Sequence, residues 1–342
     1  MELASVATLK EEIFGDFIEE PPYGIGWWAP GPGTKRRILI ADQLYCCVRS
    51  MEENMMEAAL HWLEHENASE RESWQSVIID QDGKPRPEPL PPNCARDLHA
   101  ATLVRMHYCG IIRALASALD CLGGVIIGVA SLRCSILKAD FKVVRKFLGQ
   151  IAGESDGTIR QVEFAKVLES GICSSGPSGW LDWTLDFRNM LVHRGRRLEY
   201  GHIVPVPPFR GFNGRRVALL PRDPGRSDVE VLVAAPHRLL LTEDARLTLR
   251  SLIASTKSLL ETTAAGLLEL WCWRRSNPSA LPQLAEQWKN GPSIESTGFT
   301  GYAPDTVAVE PGSRKTAHPV TLCRFNAAAV FDPVRELWQT FD

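Results

Sequence analysis

The residues whose types best suit chemistry lie at positions 188–193, in the string Arg-Asn-Met-Leu-Val-His. Arg188 is always charged, and its planar guanidinium fork matches the oxygens of a phosphate group. His193 has an ordinary pKa of about 6.5, which suits proton transfer near neutral pH. Cleavage of a phosphodiester without a metal needs a base for the attacking hydroxyl, a proton donor for the leaving oxygen and a cation beside the phosphorane. The two side chains have the right types for these tasks, although most arginines and histidines on helices are solvated or satisfy a neighbour.

This string lies on a predicted helix. Apolar and aromatic residues recur every three or four positions within residues 179–197, at Trp180, Trp183, Phe187 and Leu191. Such spacing predicts an amphipathic helix. Asn189 and His193 are four positions apart and share a face, whereas Arg188 and His193 lie roughly 140° apart around the helix axis. One copy of the helix therefore does not form a closed pocket by itself.

An Arg-Asn-x-x-x-His string on a helix, followed by a basic residue and Gly, resembles the signature of the HEPN superfamily. HEPN proteins are helical bundles, and many are metal-independent ribonucleases of toxin–antitoxin, abortive-infection and RNA-decay systems. The resemblance implies that Arg188 and His193 are catalytic and that Asn189 supports them. It also implies an RNA substrate, a composite cleft formed by a homodimer, an antitoxin or other regulatory partner, and no cofactor.

The resemblance leaves a second function open. HEPN modules also occur as non-catalytic nucleotide-binding or dimerisation domains, which would form dimers and bind ligand without turnover of RNA. Family members with a Tyr two residues after the His use that Tyr as a modification site. The equivalent position here is Gly195, so this form of regulation is not implied.

A second string with chemical content is His61-Trp62-Leu63-Glu64-His65, which matches H-x-x-E-H. Two histidines at i and i+4 can bind zinc from one helical face while the glutamate polarises water, as in the inverse zincin peptidases. Such a site requires a third ligand, usually a downstream glutamate, and no accompanying pattern is present. Histidines are also favoured near the C-terminal end of a helix by its dipole. We therefore expect no metal, with a zinc peptidase site at His61, Glu64 and His65 as the alternative.

Arginines are concentrated directly after the predicted site, where acidic residues are sparse. The chain as a whole carries a formal net charge of −3 and has a pI near 6.3, so it is not a polycationic nucleic-acid binder. A local positive region would suit an RNA backbone; the alternative is a solvated loop whose arginines pair with the acidic N-terminus. The predicted RNA-binding residues are Arg194, Arg196, Arg197, Arg215 and Arg216.

The elements that must position these residues are mainly helices. The spacing of apolar residues predicts helices over 1–20, 35–66, 97–134, 139–152, 158–170 and 242–274. Strand-like segments are predicted at 202–206, 215–220 and 229–235, with a turn at Asn213-Gly214. Residues 67–96 are polar and Pro-rich, which is typical of a linker.

The predicted fold class is therefore mainly α: a HEPN-like helical bundle with a small β-hairpin insertion and an irregular C-terminal extension. An N-terminal helix and a Pro/Gly/Trp loop are expected in residues 1–33. The helical domain is expected over 34–275, with its β excursion at 202–236. An irregular tail with a short terminal helix is expected in 276–342.

One apolar stretch, residues 114–132, is about as long as a membrane span. Asp120 lies in its middle and basic residues bracket it, so we expect a helix at the centre of a soluble bundle instead. Gly124 and Gly128 would allow another backbone to approach closely. A buried Asp120 needs a partner, either Arg188 or an ordinary structural hydrogen bond.

The cysteines and the N-terminus indicate a compartment. Nine cysteines are scattered without C-x-x-C or zinc-ribbon spacing, which favours reduced thiols. The first residues, MELASVATLKEEIFGDF, are acidic and amphipathic, unlike a signal peptide. We predict a cytoplasmic protein with no membrane partner.

Overall fold

Helices form most of the chain that the computed structural model describes, which comprises residues 2–18, 27–28, 35–72, 77–79, 85–87, 95–138, 140–152, 155–193, 200–205, 214–235, 239–281 and 302. In chain order the helices are α1 (Ala4–Ile18), α2 (Lys35–Glu72), α3 (Ala95–Ala130), α4 (Phe141–Leu148), α5 (Asp156–Ser175), α6 (Trp180–His193), α7 (Asp228–Ala234) and α8 (Ala245–Ser276). A short 3-10 helix, Ile136–Lys138, lies between α3 and α4. The predicted mainly helical class is confirmed.

Two short antiparallel hairpins accompany the helices. Strand β1 (Val77–Ile79) pairs with β2 (Pro85–Pro87). The predicted linker at 67–96 is therefore wrong in part, because α2 continues to Glu72 and this hairpin follows it. Strand β3 (Tyr200–Pro205) pairs with β4 (Gly214–Leu219), so that Tyr200 lies opposite Leu219. This second hairpin confirms the first two of the three predicted strand-like segments.

The third predicted strand, residues 229–235, is wrong: this segment forms the short helix α7. Alternating valines favour a strand, but the residues before them form a capping box. The hydroxyl of Ser227 accepts a hydrogen bond from the Glu230 backbone, and the Glu230 carboxylate accepts one from the Ser227 backbone. Because these two bonds satisfy free N–H groups of a first helical turn, they favour a helix over a strand here.

Helices α2 and α3 form a long antiparallel pair at the centre of the fold. Contacts between them join His61 to His107 near one end and Leu44 to Gly128 near the other. A Cβ at Gly128 would lie 2.6 Å from Leu44 Cδ1, closer than atoms in contact normally come. Gly128 therefore makes room for the Leu44 side chain of α2, whereas the approach of another backbone at Gly124 and Gly128 stays a prediction.

The second half of α3 is the most buried part of the fold that the structure describes. Most side chains from Ile111 to Ala130 are buried, because α2, α4, α6 and α8 pack around the helix. Its stretch Thr102–Ala130 is long and apolar enough to cross a membrane, and 72 % of the apolar window within it is buried inside the fold. The expected position of this helix at the centre of the bundle is confirmed.

The C-terminal end of α3 lies inside the fold, so its last carbonyl groups need donors from other elements. Arg274 of α8 donates to the carbonyl oxygen of Gly128 at 2.9 Å and also to that of the next residue. Trp28 Nε1 donates to the same Gly128 oxygen at 2.9 Å, and Gln161 donates to the carbonyl of Ala130. Burial lowers the pKa of Arg274 to about 9, which still leaves a cation at the negative end of the helix dipole.

Helix α1 packs along α8 and contributes to the same hydrophobic core. Asp16, near the end of α1, is buried and accepts hydrogen bonds from Trp271 Nε1 at 2.7 Å and from Arg275 Nη2 at 2.7 Å. Burial raises the pKa of this carboxyl group, and its bonds to Arg275 and Trp271 act against that rise. The Asp16 carboxylate thus joins the first helix, α1, to the last described helix, α8.

Candidate functional site

Helix α6 carries the Arg-Asn-x-x-x-His string, as the sequence predicts. Gly179, with a φ of +83°, turns the chain into the helix in a conformation that favours glycine. Trp180 Nε1 then donates to the carbonyl oxygen of Ile172 in α5 at 3.1 Å, which joins the start of α6 to the preceding helix. The buried face comprises Trp180, Leu181, Leu185, Phe187, Met190 and Leu191. The predicted amphipathic helix is confirmed.

Arg188 lies in an ion pair with Asp120 of α3. Arg188 Nη2 donates to Asp120 Oδ2 at 2.8 Å, and the two side chains are 26 % and 29 % exposed. The sequence names Arg188 as one candidate partner for this acid in the apolar run, and the contact confirms it. A guanidinium held in this way has few conformations open to it, while part of its surface still faces solvent.

Asp120 connects three helices. Its second oxygen, Oδ1, accepts a hydrogen bond at 3.2 Å from the backbone N–H of Phe141, the first residue of α4. Burial raises the pKa of this carboxyl group, and the Phe141 N–H and Arg188 act against that rise. Loss of the Asp120 charge would therefore remove the ion pair to α6 and weaken the hydrogen bond to α4.

Arg188 also has one unsatisfied donor. Its Nε atom is buried and has no hydrogen-bond partner within the described part of the chain. A buried N–H of a charged group costs free energy when it is unpaired. Asn189, the next residue, is half-buried on α6.

His193 is the last residue of α6. Its side chain, like residues 194–199, lies outside the described residues, and so the structure gives no distance between the imidazole and Arg188. The predicted RNA-binding residues Arg194, Arg196 and Arg197 fall in the same gap. Arg215 and Arg216 lie in β4, but their side chains are likewise outside the described set. The meeting of these groups stays a prediction.

A loop with two exposed arginines packs against α6. Trp183 Nε1 donates to the carbonyl oxygen of Pro221 at 3.0 Å. Gly225 lies against Asp186, and a Cβ there would be 2.8 Å from its Oδ2 atom. These contacts hold the loop residues Arg222 and Arg226, both exposed, on the flank of the helix that bears Arg188.

Acidic residues of α6 are paired with bases on α4. Lys142 Nζ lies 2.7 Å from Asp186 Oδ1, and Arg145 Nη1 lies 4.0 Å from Asp182 Oδ2. Lys142 and Asp186 are 44 residues apart, so no local pattern in the sequence predicts their contact. The Lys142 pair offsets the charge of Asp186, whereas Arg145 is bound through Nε and Nη2 to Glu169 of α5 at 2.7 and 2.8 Å.

The H-x-x-E-H string on α2 is divided between two environments. His61 Nδ1 lies 3.1 Å from His107 Nδ1 of α3, whereas His65 is buried, stacks on Trp62 and has no hydrogen-bond partner for either ring nitrogen among the described residues. Burial, with a smaller effect of His107, lowers the pKa of His65 to about 4. Glu64 is exposed. Within the described ranges, no group of three or more His, Cys, Asp or Glu residues is arranged to hold a metal ion.

The chain thus folds into a helical bundle in which Arg188 is paired with a half-buried acid of the central helix. No family model matches the chain, and no match is found among the curated proteins or the solved structures. A functional proposal therefore rests on the chemistry of the site itself.

Proposed function

We propose that this protein is a metal-independent endoribonuclease of a toxin or antiviral-defence type. Arg188 and His193 would be its catalytic residues, supported by Asn189, in a cleft shared by two copies of the chain. The observation that carries the proposal is the Arg188–Asp120 pair at 2.8 Å. It fixes a partly exposed guanidinium on the helix that ends at His193.

The proposed reaction divides the work between the two side chains. In the shared cleft, the His193 imidazole of one copy accepts the proton of the 2′-hydroxyl and that of the other copy donates a proton to the leaving 5′-oxygen, since an ordinary pKa near neutrality suits both tasks. The guanidinium of Arg188 stabilises the charge that develops on the phosphorane. Asp120 acts through Arg188 as a positioning residue, since a guanidinium that is already oriented needs no reorganisation during the reaction.

The surroundings of α6 also suit an RNA backbone. Arg222 and Arg226 are exposed on the loop that packs against Trp183 and Asp186. Together with the arginines expected at 194–197 and 215–216, they would form a positive flank on an otherwise acidic protein. Because phosphate contacts dominate such binding, its affinity should fall steeply with added salt.

The experiment is an RNA cleavage assay in EDTA with tRNA and total RNA as substrates. Wild-type protein is expected to cleave, while His193→Ala and Arg188→Lys are expected to lose on the order of 10²–10⁴ in rate. Arg188→Lys keeps a charge beside Asp120 but removes the planar fork, so it disturbs the fold less than Arg188→Ala would. Undiminished cleavage by either variant would contradict the assignment.

A second candidate is a non-catalytic nucleotide-binding or dimerisation module. The Arg188–Asp120 contact is equally compatible with this candidate, because an ordinary structural ion pair would have the same geometry. This candidate predicts nucleotide binding and dimers with no RNA turnover, so the same assay separates the two. The zinc peptidase alternative predicts an activity that is lost in EDTA.

A further inference from the structure

The middle of α2 carries a row of exposed apolar side chains. Met56, Leu60 and Leu63 are 58 %, 61 % and 55 % exposed, at positions i, i+4 and i+7 of the helix. Residues at this spacing lie on one face, and the row is roughly 10 Å long at 1.5 Å per residue. Single exposed apolar residues are ordinary, but a contiguous row on a regular helix is typical of a binding surface.

The rest of α2 shows that this row is not simply part of the core. Met51, Met55 and Ala58 are buried against the remainder of the fold. The helix is therefore already packed on one side, and the exposed row lies on the opposite side. Leaving three large side chains in water contributes nothing to folding of the chain itself.

A row of carboxylates runs beside the apolar row. Glu53, Glu57 and Glu64 are all exposed, and Leu60 lies three positions after Glu57 and four before Glu64, so these side chains are neighbours on the helix surface. Glu53 is paired with Arg49 at 2.8 Å. Glu57 lies 3.7 Å from His61 Nε2. The edge of the row therefore carries net negative charge.

We propose that this surface of α2 is a docking site for a partner protein that presents an amphipathic helix with an apolar stripe edged by Lys or Arg. The apolar row supplies anchors at the i, i+4 and i+7 spacing of helix recognition, and the carboxylates select a basic partner. This inference is independent of the proposed nuclease function, because it uses none of the residues of α6.

Charge decides between this partner and a second copy of the same chain. A symmetric contact places the same patch on both sides, so the carboxylates of one copy would face those of the other. Arg49, a base on this face of α2, is already bound to Glu53. Like charges brought together in this way oppose self-association, whereas lysines or arginines would complement the edge.

The test uses two synthetic helical peptides of about 18 residues with the same leucine stripe. One carries Lys beside the stripe and the other carries Glu, and binding to the full chain is measured by fluorescence anisotropy. The Lys peptide is expected to bind, and its binding is expected to weaken with added salt. The double variant Leu60→Ser/Leu63→Ser should weaken binding by about tenfold or more, and Glu57→Lys/Glu64→Lys should reverse the preference between the peptides.

The matched control is Leu247→Ser on α8, because Leu247 is 56 % exposed and lies outside the docking surface. This variant should bind the Lys peptide as wild type does, and circular dichroism checks that all variants are folded. Binding that is insensitive to the Leu60/Leu63 change, or equal for both peptides, would overturn the proposal. So would a dimer, seen by sedimentation, that dissociates when Leu60 and Leu63 are replaced.

Discussion

At the scale of the residue, two ionisable side chains in largely apolar surroundings, Asp120 and His65, affect the stability of the fold. Asp120 lies among the buried side chains of α3, yet it accepts bonds from Arg188 and from the Phe141 backbone. His65 is buried with no partner for its ring nitrogens among the described residues. Burial disfavours the charged form of both groups, but within the described part of the chain only Asp120 has hydrogen-bond partners that act against this effect. Each arrangement makes a separate, measurable contribution to stability.

Replacing Asp120 by Asn should cost more stability than removing an exposed acid of the same region. Asp120→Asn leaves the Arg188 charge without its partner, and we expect a loss of about 1–3 kcal/mol in the free energy of unfolding. The control is Asp186→Asn, which removes a more exposed pair with Lys142 and should cost about 1 kcal/mol or less. Urea unfolding measures both values. Equal losses would show that the Arg188–Asp120 contact contributes no more stability than the exposed Lys142–Asp186 pair.

His65 should make the fold sensitive to acid. Its pKa is lowered by burial from 6.5 to about 4, so between these values the unfolded chain binds a proton that the folded chain does not. Stability is therefore lost as the pH falls, by about 3 kcal/mol between pH 7 and pH 4. Urea unfolding of wild type and His65→Leu across this range isolates the effect, because the variant lacks the titrating ring. Parallel pH profiles for the two proteins would contradict it.

At the scale of the element, capping residues determine the secondary structure of segments whose apolar pattern is ambiguous. Periodicity is enough to predict α2, α3, α6 and α8, since long amphipathic segments have a strong signal. For α7 the valine alternation points to a strand, and the capping box of Ser227 and Glu230 outweighs it. The caps on the end of α3 are harder to predict, because Arg274 and Trp28 lie far from it in sequence.

The buried end of α3 should depend on Arg274. Arg274→Met keeps most of the side-chain volume but leaves carbonyl oxygens at the helix end without this donor, and we expect a loss of about 3 kcal/mol in the free energy of unfolding. Arg250→Met on the same helix is the control, because Arg250 is exposed and should change stability by about 0.5 kcal/mol or less. A similarly small effect of Arg274→Met would mean that the carbonyl groups at the C-terminal end of α3 do not need Arg274 as a donor.

At the scale of the whole molecule, the fold is organised by the close antiparallel packing of α2 and α3. The length and apolar character of α3 predict its central place, and Gly128 predicts a close approach by a neighbouring helix. Which neighbour approaches is not predictable from the sequence, since Leu44 is far from Gly128 along the chain. The same limit applies to the candidate site. Residue types and spacing predict Arg188, Asn189 and His193 as its residues, whereas the contact between Lys142 and Asp186 is seen only in the fold.

The same substitution at two glycines tests this packing. Gly128→Ala would place a methyl group 2.6 Å from Leu44 Cδ1, and we expect the crowding to cost about 1–3 kcal/mol. Gly15→Ala in α1 meets nothing within 4 Å and should stabilise the helix by about 0.5–1 kcal/mol. Thermal unfolding should therefore shift Tm in opposite directions. A rise in Tm for both variants would contradict the close approach of α2 and α3.

The most direct measurement of the central claim is the identity of the RNA ends produced in EDTA. Attack by a 2′-hydroxyl displaces the 5′-oxygen, so wild-type protein should leave 2′,3′-cyclic phosphate and 5′-hydroxyl ends, and His193→Ala should leave the RNA intact. Intact RNA with wild-type protein, or the same ends at the same rate with His193→Ala, would contradict the account.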